Sequence, residues 1–394
     1  MLSRGTKITD EYSRSEDPKT GAIVHRLTHS VGGNHGLFFL TPSIRPGRSG
    51  QVTFVTHRAH IPQICLFDFS NKAATVLTDE PDIHPFSPAF SADGKCIYFS
   101  TRQGVIGSVE PESLDVKEHA RLEQAAMGEC APSRDGRWIV IAYKRQQRHG
   151  LLLLDLMSGT NEILFEGHMK ILHPQFHPLD SDIIIFAGDP APRLWMIRRG
   201  EKKPTCLYKN DTDEFIVHES FLNKSNDLIF AIWPYRLARM NLYERKIRTI
   251  AEINAWHMVS DPSGRVIVAD TTRPDRGLLL IDPSTGLYET LCYPDASCKG
   301  SQWDKDHPAG PEVWAALRDQ SGEDLSWMEM KTDEVYGPQS THPHPSFDHT
   351  GKQVSFTSDR SNSPEVYVVE AEPYIERLEA RKQEQFDSLP KSSS

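Results

Sequence analysis

The chain has 394 residues, with 44 lysine and arginine side chains against 54 aspartate and glutamate side chains, a formal net charge of −10, and 38% hydrophobic residues. This composition supplies a core, and it excludes a low-complexity disordered chain and a general nucleic-acid binder. No long apolar run and no N-terminal apolar signal segment occur, so we expect a cytoplasmic globular protein that neither spans nor binds a membrane. The six cysteines lack CxxC spacing and are expected to be free thiols.

Short β-branched or aromatic runs recur along the chain at a nearly constant spacing. Six of them begin 38 to 45 residues apart, at positions 52, 96, 138, 182, 227 and 265, and a seventh begins at 353 after a gap of 88 residues. A second strand pattern follows each run, a third follows most of them, and a segment upstream supplies a fourth. Four short strands every ~40–45 residues predict the blade of a β-propeller.

The number of blades depends on the long gap, which is close to two repeat periods. Two further strand patterns lie in it, at 312–317 and 325–330, so we predict an all-β protein with eight four-stranded blades. The alternative is a wheel of seven blades with an insertion at about 298–338, where the strand pattern is weaker. The segment 21–28 resembles a third strand without predecessors. We expect it to join the last blade and close a single domain of residues 1–375, followed by a polar tail over 376–394.

Histidines are concentrated upstream of the first strand pattern of the repeats, which is the part of a propeller blade that faces the axial channel. They are His35, His84, His173, His218, His257, His342 and His344. A His-Pro pair that recurs in the blade template explains some of them equally well. The histidines therefore indicate either channel chemistry or a repeated structural feature.

The pair His342 and His344 is the sharper signal. Residues two apart in an extended strand point to the same side, so both imidazoles can bind one metal ion. Gln339 can add an amide oxygen, and a mixed nitrogen and oxygen donor set suits a divalent first-row ion of the manganese type. On spacing alone, a solvated strand end explains the pair as well.

The segment 341–347, together with 351–354 and 356–359, resembles the last blade of the oligogalacturonate lyases, and residues 17–21 and 26–28 are similar to the opening of that family. The resemblance implies a cytoplasmic β-propeller lyase with manganese or another divalent cation on its axis. It assigns the metal to four side chains, His257, Gln339, His342 and His344.

The resemblance also implies a catalytic base and a catalytic arginine. His218 lies in a His-Glu-Ser-Phe context and corresponds to the catalytic base, and Arg193 precedes a Leu-Trp pair and corresponds to a catalytic and substrate-binding arginine. Further candidates for binding the substrate are His35, His173 and Arg236. The implied reaction is β-elimination from a small uronate oligosaccharide, which leaves a 4,5-unsaturated uronate.

Three functions stay open at this point. Oligogalacturonate is the first expected substrate and partner, and no nucleic-acid partner is expected. The second possible function is the same reaction on a glucuronate- or rhamnose-containing acidic oligosaccharide. It stays open because the loop before Arg193 is short and residues 298–338 have no clear counterpart in the family. A non-catalytic propeller that binds a protein partner is the third. The chain has no GxSxG, P-loop, GxGxxG or HExxH motif, which argues against other common enzyme classes. The oligomeric state is open.

Overall fold

A computed structural model describes residues 1–388 of the chain, except residues 31, 59–60, 189–191, 211–213, 273 and 299–340. Over these residues the chain forms seven antiparallel sheets and a C-terminal helix. No helix in the described residues combines the length and apolar character needed to cross a bilayer. All six cysteines have free thiols, and Cys65, Cys130 and Cys292 are buried.

The strands follow the chain blade by blade. The first three are β1 (Lys7–Ile8), β2 (Ser13–Glu16) and β3 (Ile23–Arg26). Blade 1 contains β4 (Asn34–Gly36), β5 (Gln51–Thr56), β6 (Gln63–Asp68) and β7 (Ala73–Val76), with β1 at its outer edge. Blade 2 contains β8 (Ala89–Phe90), β9 (Ile97–Ser100), β10 (Val105–Val109) and β11 (Val116–Arg121). Blade 3 contains β12 (Ala126–Pro132), β13 (Trp138–Arg145), β14 (Arg148–Asp155) and β15 (Asn161–Gly167).

The second half of the chain repeats this order. Blade 4 contains β16 (Leu172–His177), β17 (Asp180–Ala187), β18 (Leu194–Arg198) and β19 (Thr205–Tyr208). Blade 5 contains β20 (Ile216–Phe221), β21 (Asp227–Ile232), β22 (Arg236–Asn241) and β23 (Ile247–Ala251). Blade 6 contains β24 (Ala255–Ser260), β25 (Ile267–Thr271), β26 (Leu278–Ile281) and β27 (Tyr288–Cys292). Blade 7 contains β28 (Ser346–Phe347), β29 (Gln353–Ser358) and β30 (Glu365–Glu370), to which β3 and then β2 are added.

The second strand of each blade is apolar on both faces because each sheet packs between two others. In β13, Ile139 and Ile141 pack towards blade 2, whereas Val140 and Ala142 pack towards blade 4. Side chains alternate between the faces of a strand, so an apolar run without polar interruptions is what a doubly covered strand requires. This explains why the runs that define the sequence repeat are so regular.

The wheel closes with seven blades, so the prediction of eight is wrong and its stated alternative describes the molecule. Blade 6 packs directly on blade 7, with Val268 and Leu280 in one apolar cluster with Phe356. Blade 7 in turn packs on blade 1, where Val368 and Phe54 share a cluster. These two interfaces leave no space in the ring for a blade between the sixth and the seventh.

The residues on either side of the segment 299–340 lie next to each other. The backbone N–H of Cys298 donates to the carbonyl of Thr341 at 3.0 Å, and the N–H of Thr341 donates to the Ser297 hydroxyl at 3.1 Å. The strand patterns at 312–317 and 325–330 lie outside the described residues. These two patterns led to the prediction of one additional, eighth blade.

The C-terminal helix α1 (Glu372–Asp387) covers the outer edge of blade 6. Proline occupies its first turn, where a missing N–H breaks no helical hydrogen bond. Tyr374 and Leu378 are buried in the cluster between blades 6 and 7. The helix begins four residues before the predicted polar segment 376–394, and these two side chains anchor it to the propeller.

Candidate active site

The innermost strands of four consecutive blades carry a register irregularity where they approach the axis. In β16 it falls between Leu172 and Gln175, in β20 between Val217 and Ser220, and β12 and β24 are interrupted in the same way. Such a bulge leaves residues out of the ladder and redirects their side chains. The redirected residues include His173, His218, Glu219 and His257, which are therefore presented to the channel.

Three of the axial histidines adopt a left-handed backbone conformation, with φ of 52° at His173, 54° at His218 and 46° at His344. A residue with a Cβ atom is uncommon in this region, and each instance costs of order 1–3 kcal/mol. Backbone strain of this kind is found most often at functional sites, where the required direction of a side chain outweighs the energetic cost to the backbone. Three strained histidines around one axis mark it as the candidate site.

Three of the predicted metal-binding side chains lie together on the axis. The ring centre of His257 is 4.0 Å from that of His344 and 5.6 Å from that of His342, and the latter two rings are 6.4 Å apart. All three side chains are buried. Burial, followed by the neighbouring imidazoles, holds the pKa of His257 and His344 well below the usual histidine value, so both are neutral at neutral pH.

Asp270, on β25, orients His257. One carboxylate oxygen accepts the backbone N–H of His257 at 2.6 Å, and the other lies 2.8 Å from Nδ1 of the same residue. Burial raises the pKa of Asp270 to about 7, and hydrogen bonding from the backbone N–H of His257 opposes this shift. With Nδ1–H directed at the carboxylate, Nε2 of His257 is the nitrogen left to bind a ligand.

The described donors fit a divalent cation in their chemistry. Neutral imidazoles are ligands for manganese-type and related ions, and a histidine whose other nitrogen contacts a carboxylate is the usual arrangement at a metal site. Among the described residues, no three His, Cys, Asp or Glu side chains form a preformed metal site. Gln339, the fourth predicted ligand, lies outside the described residues.

His218, the predicted base, lies beside this group. Its ring centre is 4.1 Å from that of His257 and 4.4 Å from the Trp256 ring. Among the axial histidines named above it alone is partly exposed. Burial, then the charges of His257 and Arg193, hold the pKa of His218 well below its usual value. Nδ1 of His218 has no hydrogen-bond partner among the described residues.

Arg193, just before β18, is fixed by Glu219, the residue that follows His218. Its Nε donates to Glu219 Oε2 at 2.9 Å, and its backbone N–H donates to Asn210 Oδ1 at 3.1 Å. Both charged side chains are buried. The Nη atoms of Arg193 form no hydrogen bond within the described part of the chain. Blades 4 and 5 thus jointly place a cation next to the candidate base.

The remaining predicted substrate-binding residues are placed differently. His173 stacks on Phe38, with ring centres 4.9 Å apart, and its Nδ1 lies 3.1 Å from Glu129 Oε1. In His35, Nδ1 contacts the Gly36 carbonyl at 2.7 Å and Nε2 contacts His57 at 3.1 Å, so both nitrogens are engaged inside the protein.

Arg236 lies two strands from the axis. It is partly exposed, and it donates to the Thr249 hydroxyl at 3.2 Å and lies 3.8 Å from Glu214. The structure therefore brings His218, Arg193 and the three described metal-ligand candidates together with His173, and it leaves Arg236 apart from them.

A pair of phenylalanines plugs the channel beside the histidines. The Phe39 ring lies 5.2 Å from His257 and 5.7 Å from His218, and both Phe38 and Phe39 are buried. A cavity of about 510 Å³ reaches Phe38 from the direction of the carboxyl ends of the inner strands. His173 also lines this cavity, whereas His218, His257, His342 and His344 do not.

Three acidic residues that support this cluster were not predicted from the sequence. Asp270 contacts His257, Glu219 holds Arg193, and Glu129 contacts His173. Each is an acidic residue inside an otherwise apolar strand pattern. Because an unpaired carboxylate is costly to bury, such a residue indicates a buried polar partner, and this signal was available in the sequence. Their partners lie in other segments of the chain, so the sequence around each acidic residue does not identify its partner.

Comparisons with known proteins agree with the motif in the last blade. No family model matches the chain. The chain is 23% identical to the oligogalacturonide lyase of Pectobacterium atrosepticum over 93% of its own length and 98% of the relative, and 20% identical to the oligogalacturonate lyase of Dickeya dadantii with the same coverage.

Solved structures of the same name share the fold. An oligogalacturonate lyase in complex with manganese matches with a TM-score of 0.76 at 18% identity, covering 94% of this chain and 98% of that one. The oligogalacturonate lyase from Vibrio parahaemolyticus matches with a TM-score of 0.75 at 16% identity, covering 94% and 99%. The predicted resemblance is confirmed: the chain is similar to oligogalacturonate lyases over nearly its whole length, as a divergent relative.

Proposed function

We propose that the protein is a metal-dependent lyase that cleaves small uronate oligosaccharides, with oligogalacturonate as the first candidate, by β-elimination. The observation that carries the proposal is the position of one partly exposed neutral histidine, His218, between a buried arginine and a buried group of imidazoles. The names of the relatives, and the manganese present in one of them, support the same reaction class.

His218 is the group that we assign as general base. Its depressed pKa keeps the imidazole neutral near pH 7, which is the form that can accept a proton. It would take the proton at C5 of a uronate, next to the carboxylate. The electron pair of that C–H bond then forms the C4–C5 double bond, the C4–O bond breaks, and the departing oxygen gains a proton. General-base catalysis contributes about 10²–10⁴-fold to such a step.

Arg193 is the group that we assign to the substrate carboxylate. Its Nε is held by Glu219 at 2.9 Å, and its two Nη atoms are at the other end of the guanidinium. A planar fork whose orientation is fixed in advance can bind a carboxylate with two parallel hydrogen bonds. This places the carboxylate, and with it the acidic C5–H, close to His218.

His257, His342, His344 and Gln339 would hold the divalent cation. When bound, the cation would act as a Lewis acid on the substrate carboxylate, where negative charge develops. Asp270 keeps Nε2 of His257 available by accepting from its Nδ1–H. The buried walls, including Phe39, limit the access of water to this end of the channel.

The proposal is tested by incubating the purified protein with saturated and unsaturated digalacturonate, and with glucuronate-containing oligosaccharides. Each substrate is offered after chelation and again after addition of manganese, and the ultraviolet absorbance of the conjugated product is followed. We expect product from digalacturonate only with metal. No product from any uronide in the presence of manganese would disprove the lyase assignment, and product only from the glucuronides would identify the alternative substrate.

A further inference from the structure

A second cavity lies on the rim of the wheel, three strands away from the axis. Its volume is about 600 Å³, and it is bounded by β27 of blade 6, by α1 and by the turn that precedes β3. None of its lining residues belongs to the axial cluster. A space of this size accommodates a short oligosaccharide or a similar organic ligand.

Cationic side chains dominate this cavity, although the chain as a whole is acidic. Lys19, Arg377 and Arg381 line it together with a single acidic residue, Glu289. Arg381 lies 2.8 Å and Arg377 lies 4.0 Å from the same Glu289 carboxylate. Three cations against one carboxylate leave a positive excess, and local charge of this kind attracts anions even to an acidic protein.

Lys19 is the third cation of the cavity, and its charge opposes the rise that burial causes in the pKa of the nearby Asp275. Its Nζ lies 3.7 Å from the centre of the Tyr293 ring, and it forms no ion pair with any described residue. The ring faces the amine without removing its charge, so the amine can still bind an anion.

Tyrosine rings form the rest of the cavity wall. Tyr288 and Tyr374 join Tyr293 in lining it, and the Tyr374 hydroxyl donates to the backbone carbonyl of Thr20 at 3.0 Å. This bond ties α1 to the turn that carries Lys19. Tyrosine has an apolar ring with a polar tip, which suits a ligand with both apolar faces and polar groups.

We propose that this rim cavity is a second binding site for anionic oligosaccharides, in which uronate carboxylates pair with Lys19 and Arg377 and sugar rings pack on the tyrosines. The choice of a uronate chain as ligand rests on the proposed function of the axial site. The site would bind without cleaving, because it contains no base placed like His218. Its consequence would be a raised local concentration of oligouronide at the enzyme surface.

The test is zero-length coupling of trigalacturonate to the full-length protein with a water-soluble carbodiimide, followed by peptide mass spectrometry. The reagent links a bound carboxylate to a lysine amine only where the two are in contact. Lys72 is the matched control, because its Nζ lies over the ring of Tyr12 at 5.0 Å and it does not line the rim cavity. We expect coupling at Lys19 to exceed coupling at Lys72 by about tenfold, the size of one charge-assisted contact.

Charge-reversal variants test the contribution of the cavity. Arg377→Glu should lower coupling at Lys19 by about tenfold. Arg248→Glu, at an arginine of similar exposure on β23, should leave it unchanged. Equal coupling at both lysines, or an equal effect of both variants, would overturn the proposal. Inorganic phosphate that competes as well as trigalacturonate would show a general anion site and would also overturn it.

The outcome is separable from that of the lyase assignment. The same preparation is assayed for ultraviolet-absorbing product with manganese. Turnover without selective coupling at Lys19 would disprove the rim site and support the lyase assignment. Selective coupling without turnover would support the rim site and disprove the lyase assignment.

Discussion

The innermost and the second strands of the blades are built in opposite ways. In β12, β16, β20 and β24 the pairing register shifts next to the axis, and the backbone is left-handed at His173 and His218. The second strands β13, β17, β21 and β25 pair with the third strands without a register shift. One layer therefore carries strain and polar groups, and the next carries regular pairing and apolar packing.

This difference explains how the propeller can keep strained and buried polar residues around its axis. A strained residue persists only where its surroundings determine its conformation, and the second strands supply such surroundings through residues that are fully buried on both faces. Substitutions in the inner layer should therefore change function more than stability, and substitutions in the second layer should do the reverse. Four variants test this separation.

His218→Ala should have the largest effect. Loss of the base should lower kcat on digalacturonate by about 10²–10⁴-fold, whereas manganese binding should persist because His218 is not among the assigned ligands. The measurement is the rate of ultraviolet absorbance increase at saturating manganese. His119→Ala is the control, since His119 lies on β11 and contacts Ser108 at 2.8 Å. Comparable turnover in the two variants would show that the base is misassigned.

Leu228→Ala should show the reverse pattern. Leu228 is fully buried in β21, in the cluster between blades 4 and 5, so its truncation should cost about 2–5 kcal/mol of unfolding free energy. Urea unfolding measures this loss, and kcat below the unfolding transition should stay near that of the unmodified protein. A variant that keeps its stability but loses turnover would contradict the division between the two layers.

Asp270→Asn probes a contact between a second strand and the site. The amide can still accept the backbone N–H of His257, but its NH₂ group would donate to Nδ1 and move the ring proton to Nε2. Manganese affinity should fall by about 10–100-fold, which the electron paramagnetic resonance signal of free manganese reports. Asp282→Asn makes the same chemical change next to Lys382, away from the axis. Equal affinity in both variants would show that Asp270 does not support the metal.

Arg236→Ala should have the smallest effect. The side chain is partly exposed, and its charge is 3.8 Å from Glu214, so a contribution to substrate binding is screened by solvent. We expect KM for digalacturonate to rise by less than about threefold with kcat unchanged. A larger rise in KM would place the substrate across the third strand of blade 5 and would extend the site beyond the inner layer.

Much of the fold could be predicted because the second strands repeat so regularly. Runs such as 139–141 and 228–230 have to be apolar on both faces, and contiguous residues show this requirement in the sequence. The number of blades could not be predicted in the same way. It depends on whether the faces of blades 6 and 7 meet, and the contact of Val268 with the cluster of Phe356 joins residues far apart in the chain.

Individual residues of the candidate site could be predicted from local sequence patterns, but contacts between residues on different strands could not. The spacing of His342 and His344 picked out both residues, and the structure brings them close to His257. The extended strand assumed for the pair was wrong, because both residues precede β28 and His344 is left-handed. The support of His257 by Asp270 depends on how β24 pairs with β25 around a bulge, which no local pattern encodes. The contact of His35, on β4, with His57, the residue after β5, likewise could not be predicted from either segment alone.

The central claim is that the axial cluster eliminates and does not hydrolyse. The direct measurement is mass spectrometry of the products formed from digalacturonate by the manganese-loaded protein. Elimination predicts one unsaturated product, and product masses that add up to that of the substrate. Two saturated products whose masses add up to that of the substrate plus one water would show hydrolysis and would contradict the account.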